Sequence, residues 1–233
     1  MCGRKTLTRD IQSIIEELTI EEWEDHDRYI PSYNIAPAQF SPIMTQGVKY
    51  RIVRPMKWGL IPSWSKDKTM GKKLINARSE TIMEKPSFQN LVYQNRCVVI
   101  SEGYYEWQRM GINNKKQPVY IFHPKGRLLP MAGLWSAWTS STGKELLTYT
   151  VITTTPNKSI SHIHNRMPVI LHLRDLDTWL GSNQTQIYEA MDLLIPYRGD
   201  LGFHPVSTMV NSPNNNSSEC IRPLTDGSTL NMF

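Results

Sequence analysis

Cysteine is scarce in this chain and poorly placed for pairing. The 233 residues hold three, Cys2, Cys97 and Cys220, with no CxxC arrangement among them. An odd number so spaced excludes a fully paired disulfide framework and points to a reducing compartment. That compartment is expected to be the cytoplasm or nucleoid of a bacterium, or the nucleus of a eukaryotic cell. No apolar run approaches the ~20 residues of a membrane span, and the first residues lack the basic and apolar segments of a secretory signal. A soluble protein with no membrane partner is the expectation. A phosphate-binding loop, GxGxxG, HExxH and GxSxG are all missing. The commonest nucleotide, zinc-protease and hydrolase signals are therefore absent, and neither a cofactor nor a metal is expected. No repeat period or interdomain linker is visible. The longest polar runs are SPNNNSSE at 212–219 and TSSTG at 139–143, so residues 1–233 read as a single domain, expected to be a monomer.

Against these absences stands a modest positive excess, 26 Lys and Arg against 21 Asp and Glu. The segment EELTIEEWEDHD at 16–27 gathers acidic charge, leaving basic stretches such as KYRIVRPMKW at 49–58 and KDKTMGKK at 66–73. A basic groove facing away from an acidic face would suit a polyanion; scattered solvated lysines are the ordinary alternative. Residues 8–24, opened by a capping-type Thr8, predict a surface helix. YNIAP at 33–37 reads as a turn because Pro37 restrains its predecessor. Strand-like composition marks residues 50–58, 97–109, 117–123 and 167–171, and a hairpin joins 131–138 to 146–156. Residues 173–181 and 186–195 are helix candidates, and 201–211 look extended. Many strands with few helices predict an α+β domain with a curved or barrel-like, mainly antiparallel β core and peripheral helices.

Chemistry-bearing residues fall in four places. Cys2 lies so near the chain start that few core neighbours are expected, although thiols usually bury as small hydrophobes. Removal of Met1, which the small second residue permits, would leave a free amine and a free thiol on adjacent carbons. In SEGYYEW, alternation puts Glu102 and Glu106 on one face unless Gly103 introduces a bulge. A carboxylate beside Tyr105 and Trp107 can have the raised pKa of a general acid; a solvated strand-end glutamate is the competing account. In SHIHNRMP, extended geometry would align His162, His164 and Arg166, whereas zinc would need a third ligand that no spacing supplies. In INARSE, Asn76, Arg78 and Glu80 alternate, with Arg78 suited to a bidentate phosphate contact and Arg4 a second cation close to Cys2. Trp58, Trp64 and Trp107 are candidates for stacking on unpaired bases, while Trp135, Trp138 and Trp179 are assigned to the core.

The wording of these segments resembles the SRAP family, the SOS response-associated peptidases that shield abasic sites. The matching pieces are MCGR at 1–4, YNIAP, WGLIPSW at 58–64, NARSE at 76–80, RCVVISEGYYEW at 96–107, AGLW at 132–135, HNRMPVIL at 164–171, and VN and EC near the end. Ser79, Ser101 and Glu102 depart from the family's commoner residues without removing a mapped catalytic position. The resemblance implies a protein that binds single-stranded DNA containing abasic sites, including at junctions with duplex. It also implies loss of Met1 by autoproteolysis and a thiazolidine crosslink between Cys2 and the ring-opened deoxyribose, with lyase-like or crosslink-reversing activity as an extension. By resemblance Cys2, Asn76, Glu106 and His164 are catalytic, and Arg78, Arg166 and Arg4 contact the DNA backbone. Asn34 of the YNIAP loop, Trp64 and Trp107 complete the expected DNA contacts. Rival readings are a cysteine peptidase built from Cys2, His164 and a carboxylate, an amino-terminal cysteine amidohydrolase, and a non-covalent single-stranded DNA-binding module.

Overall fold

A computed structural model describes residues 2–111, 115–181 and 186–224 of the chain; Met1, whose removal is expected, lies outside them. The strands are β1 (Lys5–Leu7), β2 (Glu22–Trp23), β3 (Ser32–Ile35), β4 (Phe40–Gln46), β5 (Arg51–Trp58), β6 (Asn76–Arg78) and β7 (Arg96–Val99). They continue with β8 (Gly103–Met110), β9 (Lys115–Phe122), β10 (Met131–Thr139), β11 (Glu145–Thr154), β12 (Met167–Pro168) and β13 (Gly202–Pro205). Four short helices, α1 (Ile11–Leu18), α2 (Leu91–Gln94), α3 (Leu176–Leu180) and α4 (Gln186–Asp192), lie among them.

Among the described residues a five-stranded sheet runs in the order β13-β9-β8-β1-β3, and an eight-stranded sheet in the order β12-β11-β10-β7-β4-β5-β2, with β6 beside β11. β11 also pairs with β5, so the path β5-β4-β7-β10-β11 returns on itself and makes the curved, barrel-like centre that the strand-rich pattern predicts. Most ladders are antiparallel; those of β11 with β5 and β6, and of β2 with β5, are parallel. Inside, Trp58 stacks on Tyr149 with ring centroids 5.9 Å apart and donates Nε1–H to the Ile75 carbonyl at 2.9 Å. Trp58 is thereby a core residue and not a stacking platform. Gly133 lets β7 and β10 close up, since a Cβ there would fall 2.8 Å from the Thr150 carbonyl and 3.0 Å from the Cys97 sulfur. Cys97 and Cys220 are both fully buried.

Several local expectations are corrected. The first helix starts later than Thr8, because Asp10 is its N-cap and accepts from the Ser13 amide at 2.9 Å. Thr8 is held elsewhere, donating both its backbone N–H and its hydroxyl to Glu102. The stretch at 97–109 is two strands parted at residues 100–102, where the chain passes from one sheet to the other. YNIAP begins as strand β3 rather than a turn, and the 201–211 stretch ends in a 3-10 turn at Thr208–Asn211.

Candidate active site at the amino terminus

Pairing of β1 decides where the chain start goes. Lys5 lies opposite Tyr104 of β8, antiparallel, so residues before Lys5 run beside residues after Tyr104. The Tyr105 amide accordingly donates to the Arg4 carbonyl at 3.0 Å. Because β1 is an inner strand, between β8 and β3, the residue that precedes it is drawn under cover. Cys2 is 0% exposed and belongs to the main apolar core, contrary to the expectation of few core neighbours. Burial, reinforced by the negative charge of Glu106, pushes its thiol up to about 12.

Two distant segments reach it, and a third reaches Glu106 beside it. β6 lies in register beside β11, Asn76 opposite Val151, and the Asn76 amide donates Nδ2–H to the Cys2 carbonyl at 2.8 Å. Its Oδ1 is buried with no hydrogen-bond partner among the described residues. Glu106 of β8 is 1% exposed, and burial pushes its carboxyl up to about 7. It can therefore both give and take a proton near neutrality. His164 reaches the site from the loop after β11, its Nε2 3.9 Å from Glu106 Oε2. His164 Nδ1 lies 3.0 Å from the Arg166 backbone nitrogen and 3.3 Å from its carbonyl oxygen, contacts that fix the ring with Nε2 towards Glu106. Burial pushes the imidazole below its ordinary range, with smaller contributions from the cations Arg109 and Lys116.

Glu102 and Glu106 separate functionally. Glu102, one strand end away, is bound by Thr8 and lies 3.4 Å from Arg9 Nε. His162 and His164 do not alternate along a strand, since residues 158–163 form turns. His162 instead meets Phe203 edge-on, with centroids 5.0 Å apart. Both histidines nevertheless line one cleft of about 540 Å³ with Glu106, Trp107, Arg109, Lys116 and Asn165. Arg109 and Lys116 are exposed and directly opposite one another on β8 and β9. Like charges in that register repel, and neither has an ion pair among the described residues. The sequence reading passed over these two; the positively charged ends of the 103–110 and 115–122 strands were the available signal. None of the cleft's lining residues comes from the basic runs at 49–58 or 66–73.

The remaining expected DNA contacts are dispersed. Trp107 is half-buried on the cleft, its Nε1–H donating to Asn211 Oδ1 at 2.7 Å. Trp64 is 61% exposed, and Arg78 is exposed at the end of β6; neither lines the cleft. Arg166 forks onto Glu80, with contacts of 2.5 and 2.9 Å, and onto the Thr153 carbonyl. Arg4 donates to Asn34 Oδ1 and to the Val210 and Asn211 carbonyls. Asn34 is 1% exposed, its amide donating to the carbonyls of Val210, Ser212 and Asn215. Asn34 and Arg4 thus bind the 210–215 segment to β1 and β3. Among the described residues no group of three or more His, Cys, Asp or Glu is arranged to hold a metal.

A model of the SOS response associated peptidase (SRAP) family matches residues 1–213. The abasic site processing protein YoqW of Bacillus subtilis (strain 168) is 41% identical over 223 residues, 95% of this chain and 99% of that one. The abasic site processing protein HMCES of Rattus norvegicus is 36% identical over 269 residues, covering 96% of this chain and 76% of its own. A crystal structure of a protein from Bacteroides thetaiotaomicron superposes with a TM-score of 0.83 at 26% identity, covering 96% of this chain and 100% of that one.

Proposed function

The chain belongs to the SRAP family, and from that membership and the constellation around Cys2 we propose that it processes abasic sites in single-stranded DNA by bonding covalently to them through an amino-terminal cysteine. The observation that carries the reading is the meeting of a buried Cys2 with a carboxyl, Glu106, that titrates near neutrality.

Loss of Met1 frees the Cys2 amine, whose ordinary pKa of roughly 8 leaves a useful neutral fraction. The opened deoxyribose presents an aldehyde. The amine attacks it, Glu106 supplies the proton with which the carbinol oxygen leaves as water, and an iminium remains. The thiol then loses its proton to the Glu106 carboxylate, sulfur bonds the same carbon, and the C=N electron pair returns to nitrogen. A five-membered thiazolidine results, favoured because amine and thiol belong to one residue. Asn76 fixes the Cys2 carbonyl and keeps Oδ1 as an acceptor for the freed amine. His164, its Nε2 turned towards Glu106, serves ring opening. Arg109 and Lys116 would take the phosphodiester beside the lesion, and Trp107 a flanking base.

A peptidase acting in trans is disfavoured by the same site. Cysteine peptidases depress the thiol to keep it ionised, whereas burial and Glu106 raise this one. A protonated thiol beside a reactive amine suits imine formation first and sulfur second.

The test is incubation of mature protein with single-stranded DNA bearing an abasic site, followed by denaturing electrophoresis and adduct mass. A resistant adduct lacking the mass of Met1 is expected, and it should disappear on Cys2→Ala or on acylation of the new amine. Adduct formation at the normal rate by the Cys2→Ala variant would overturn the reading.

A further inference from the structure

One ionisable group beside the site plays no part in the chemistry above. Lys5 is 0% exposed, an extreme position for a residue type that is almost never fully buried unless paired. It has no carboxylate partner: none of the ion pairs among the described residues includes it. Its Nζ donates to the Ser41 hydroxyl at 2.6 Å and to the Ile100 carbonyl at 2.8 Å. Those neutral acceptors fix two N–H directions and leave the third position as the one that gains or loses a proton. The negative groups whose charge reaches it are Cys2 and, after it, Glu102. Glu102 already accepts from the Thr8 amide and hydroxyl and stands beside Arg9. That leaves the Cys2 sulfur, when ionised, as the counter-charge for Lys5.

We propose that Lys5 is a positioning residue for Cys2: a buried cation, fixed by Ser41 and the Ile100 carbonyl, that stabilises the thiolate at the moment it closes on the imine. The inference rests on the reading of Cys2 given above. It explains how a thiol in so apolar a place ionises at all. Burial and Glu106 raise the thiol, whereas Lys5 pulls it down. The step itself is unchanged in its balance. The thiol proton passes to the Glu106 carboxylate, the sulfur lone pair forms the C–S bond, and the C=N pair settles on nitrogen. Lys5 forms no bond and gives up no proton. Burial lowers its own pKa to about 7, so the assistance is fullest below pH 7, where the amine holds its proton, and fades as the pH rises past it.

Lys5→Met is the informative variant, since it keeps the length and volume of the side chain and removes the charge, at the cost of leaving the Ser41 hydroxyl and the Ile100 carbonyl without their donor. Mature wild type and variant are incubated with abasic single-stranded DNA from pH 5.5 to 8.5 and divided into two readouts. Borohydride reduction traps the imine, which needs only the amine; denaturation without reductant scores the closed ring, which needs sulfur. The variant is expected to trap imine at the wild-type rate while closing the ring about tenfold more slowly at pH 6, a gap that narrows towards pH 8.5, as a one-unit rise in the thiol pKa would give. Ring closure at the wild-type rate across the range overturns the proposal, and so does an equal fall in both readouts, which is the mark of a structural role. A second arm omits DNA: below pH 7 iodoacetamide should alkylate Cys2, followed by peptide mass, about tenfold more slowly in the variant, and the two rates should meet at higher pH. Equal rates below pH 7 overturn the assignment. A slower variant in a protein that forms no DNA adduct would sink the proposed function and leave Lys5 as the thiol's counter-charge.

Discussion

Asn34 and Glu106 are equally buried, each 1% exposed, yet their surroundings differ in kind. Asn34 has an acceptor for its amide in each of three carbonyls and a donor for its oxygen in Arg4. Around it Asn215 donates to the Met209 carbonyl and Trp107 to Asn211, so an irregular segment far along the chain is tied to β1 and β3. Glu106 is held in the opposite fashion. Its ionised form is penalised by burial, it stands 3.9 Å from a neutral imidazole, and beside it lies a thiol pushed up to about 12. A satisfied buried network contributes stability; a cluster whose charged forms are disfavoured lowers it and in return sets proton affinities near the working pH.

The sharpest way to break that contrast is Glu106→Gln, which keeps shape and removes the proton exchange. Adduct formation should fall by about 10²–10⁴-fold, the range for losing a general acid and base, and its pH dependence around 7 should flatten. Stability should move the other way. The folded-state pKa of about 7 lies above the ordinary carboxylate value, so the folded protein holds this proton more tightly than the unfolded chain does. The resulting stabilisation is complete below the ordinary carboxylate range and is lost as the pH climbs through 7. Gln cannot ionise. The variant should therefore melt higher than wild type at pH 8, by an amount on the order of 1–3 kcal/mol, with the gap closing towards pH 4. Thermal unfolding across that range checks it, and a lower melting temperature at pH 8 would place Glu106 with the structural residues.

Asn34→Ala tests the other side. It strands an Arg4 donor and three carbonyls, at a cost of roughly 2–3 kcal/mol, or roughly 5–10 °C in melting temperature for a domain of this size. Hydrogen exchange should quicken in residues 209–216, where its partners lie. A melting temperature unchanged within a degree would mean that the network contributes nothing to the fold.

Why one cluster was legible in the sequence and the other was not follows from this difference. Cys2, Asn76, Glu106 and His164 could be named because unusual residue types stand in long matching motifs, and the strand-rich pattern was enough for the barrel-like centre. Arg4 and Asn34 lie in equally distinctive motifs, MCGR and YNIAP, but their partners are backbone carbonyls at 210–215, and no side-chain pattern advertises a carbonyl. Cys2 was misjudged for a related reason. Burial of a chain start depends on which strand pairs with β1, and that is a long-range fact. Thr8 was a plausible cap by type, yet Glu102, more than ninety residues away in sequence, accepts from it in place of the helix amides.

The smallest expected effect concerns the cleft that joins the two regions. Arg109 and Lys116 face each other across β8 and β9, and their repulsion is tolerable where an anion is meant to lie between them. In a Cys2→Ala background, which keeps the binding step reversible, Arg109→Ala with Lys116→Ala should weaken single-stranded DNA binding modestly. The slope of log affinity against log salt should fall by about 1.4, as two lost phosphate contacts predict for a single strand. Fluorescence anisotropy at several salt concentrations measures it. The same pair adds a small lowering of the His164 pKa to that of burial, so the double variant should also raise the His164 titration midpoint slightly, read by NMR without DNA. A salt slope that stays at the wild-type value while His164 shifts would mean that these cations tune the catalytic proton and leave the phosphates to other residues. A slope that falls while His164 stays put would assign them to the DNA alone, and the link between the cleft and the proton chemistry would be broken.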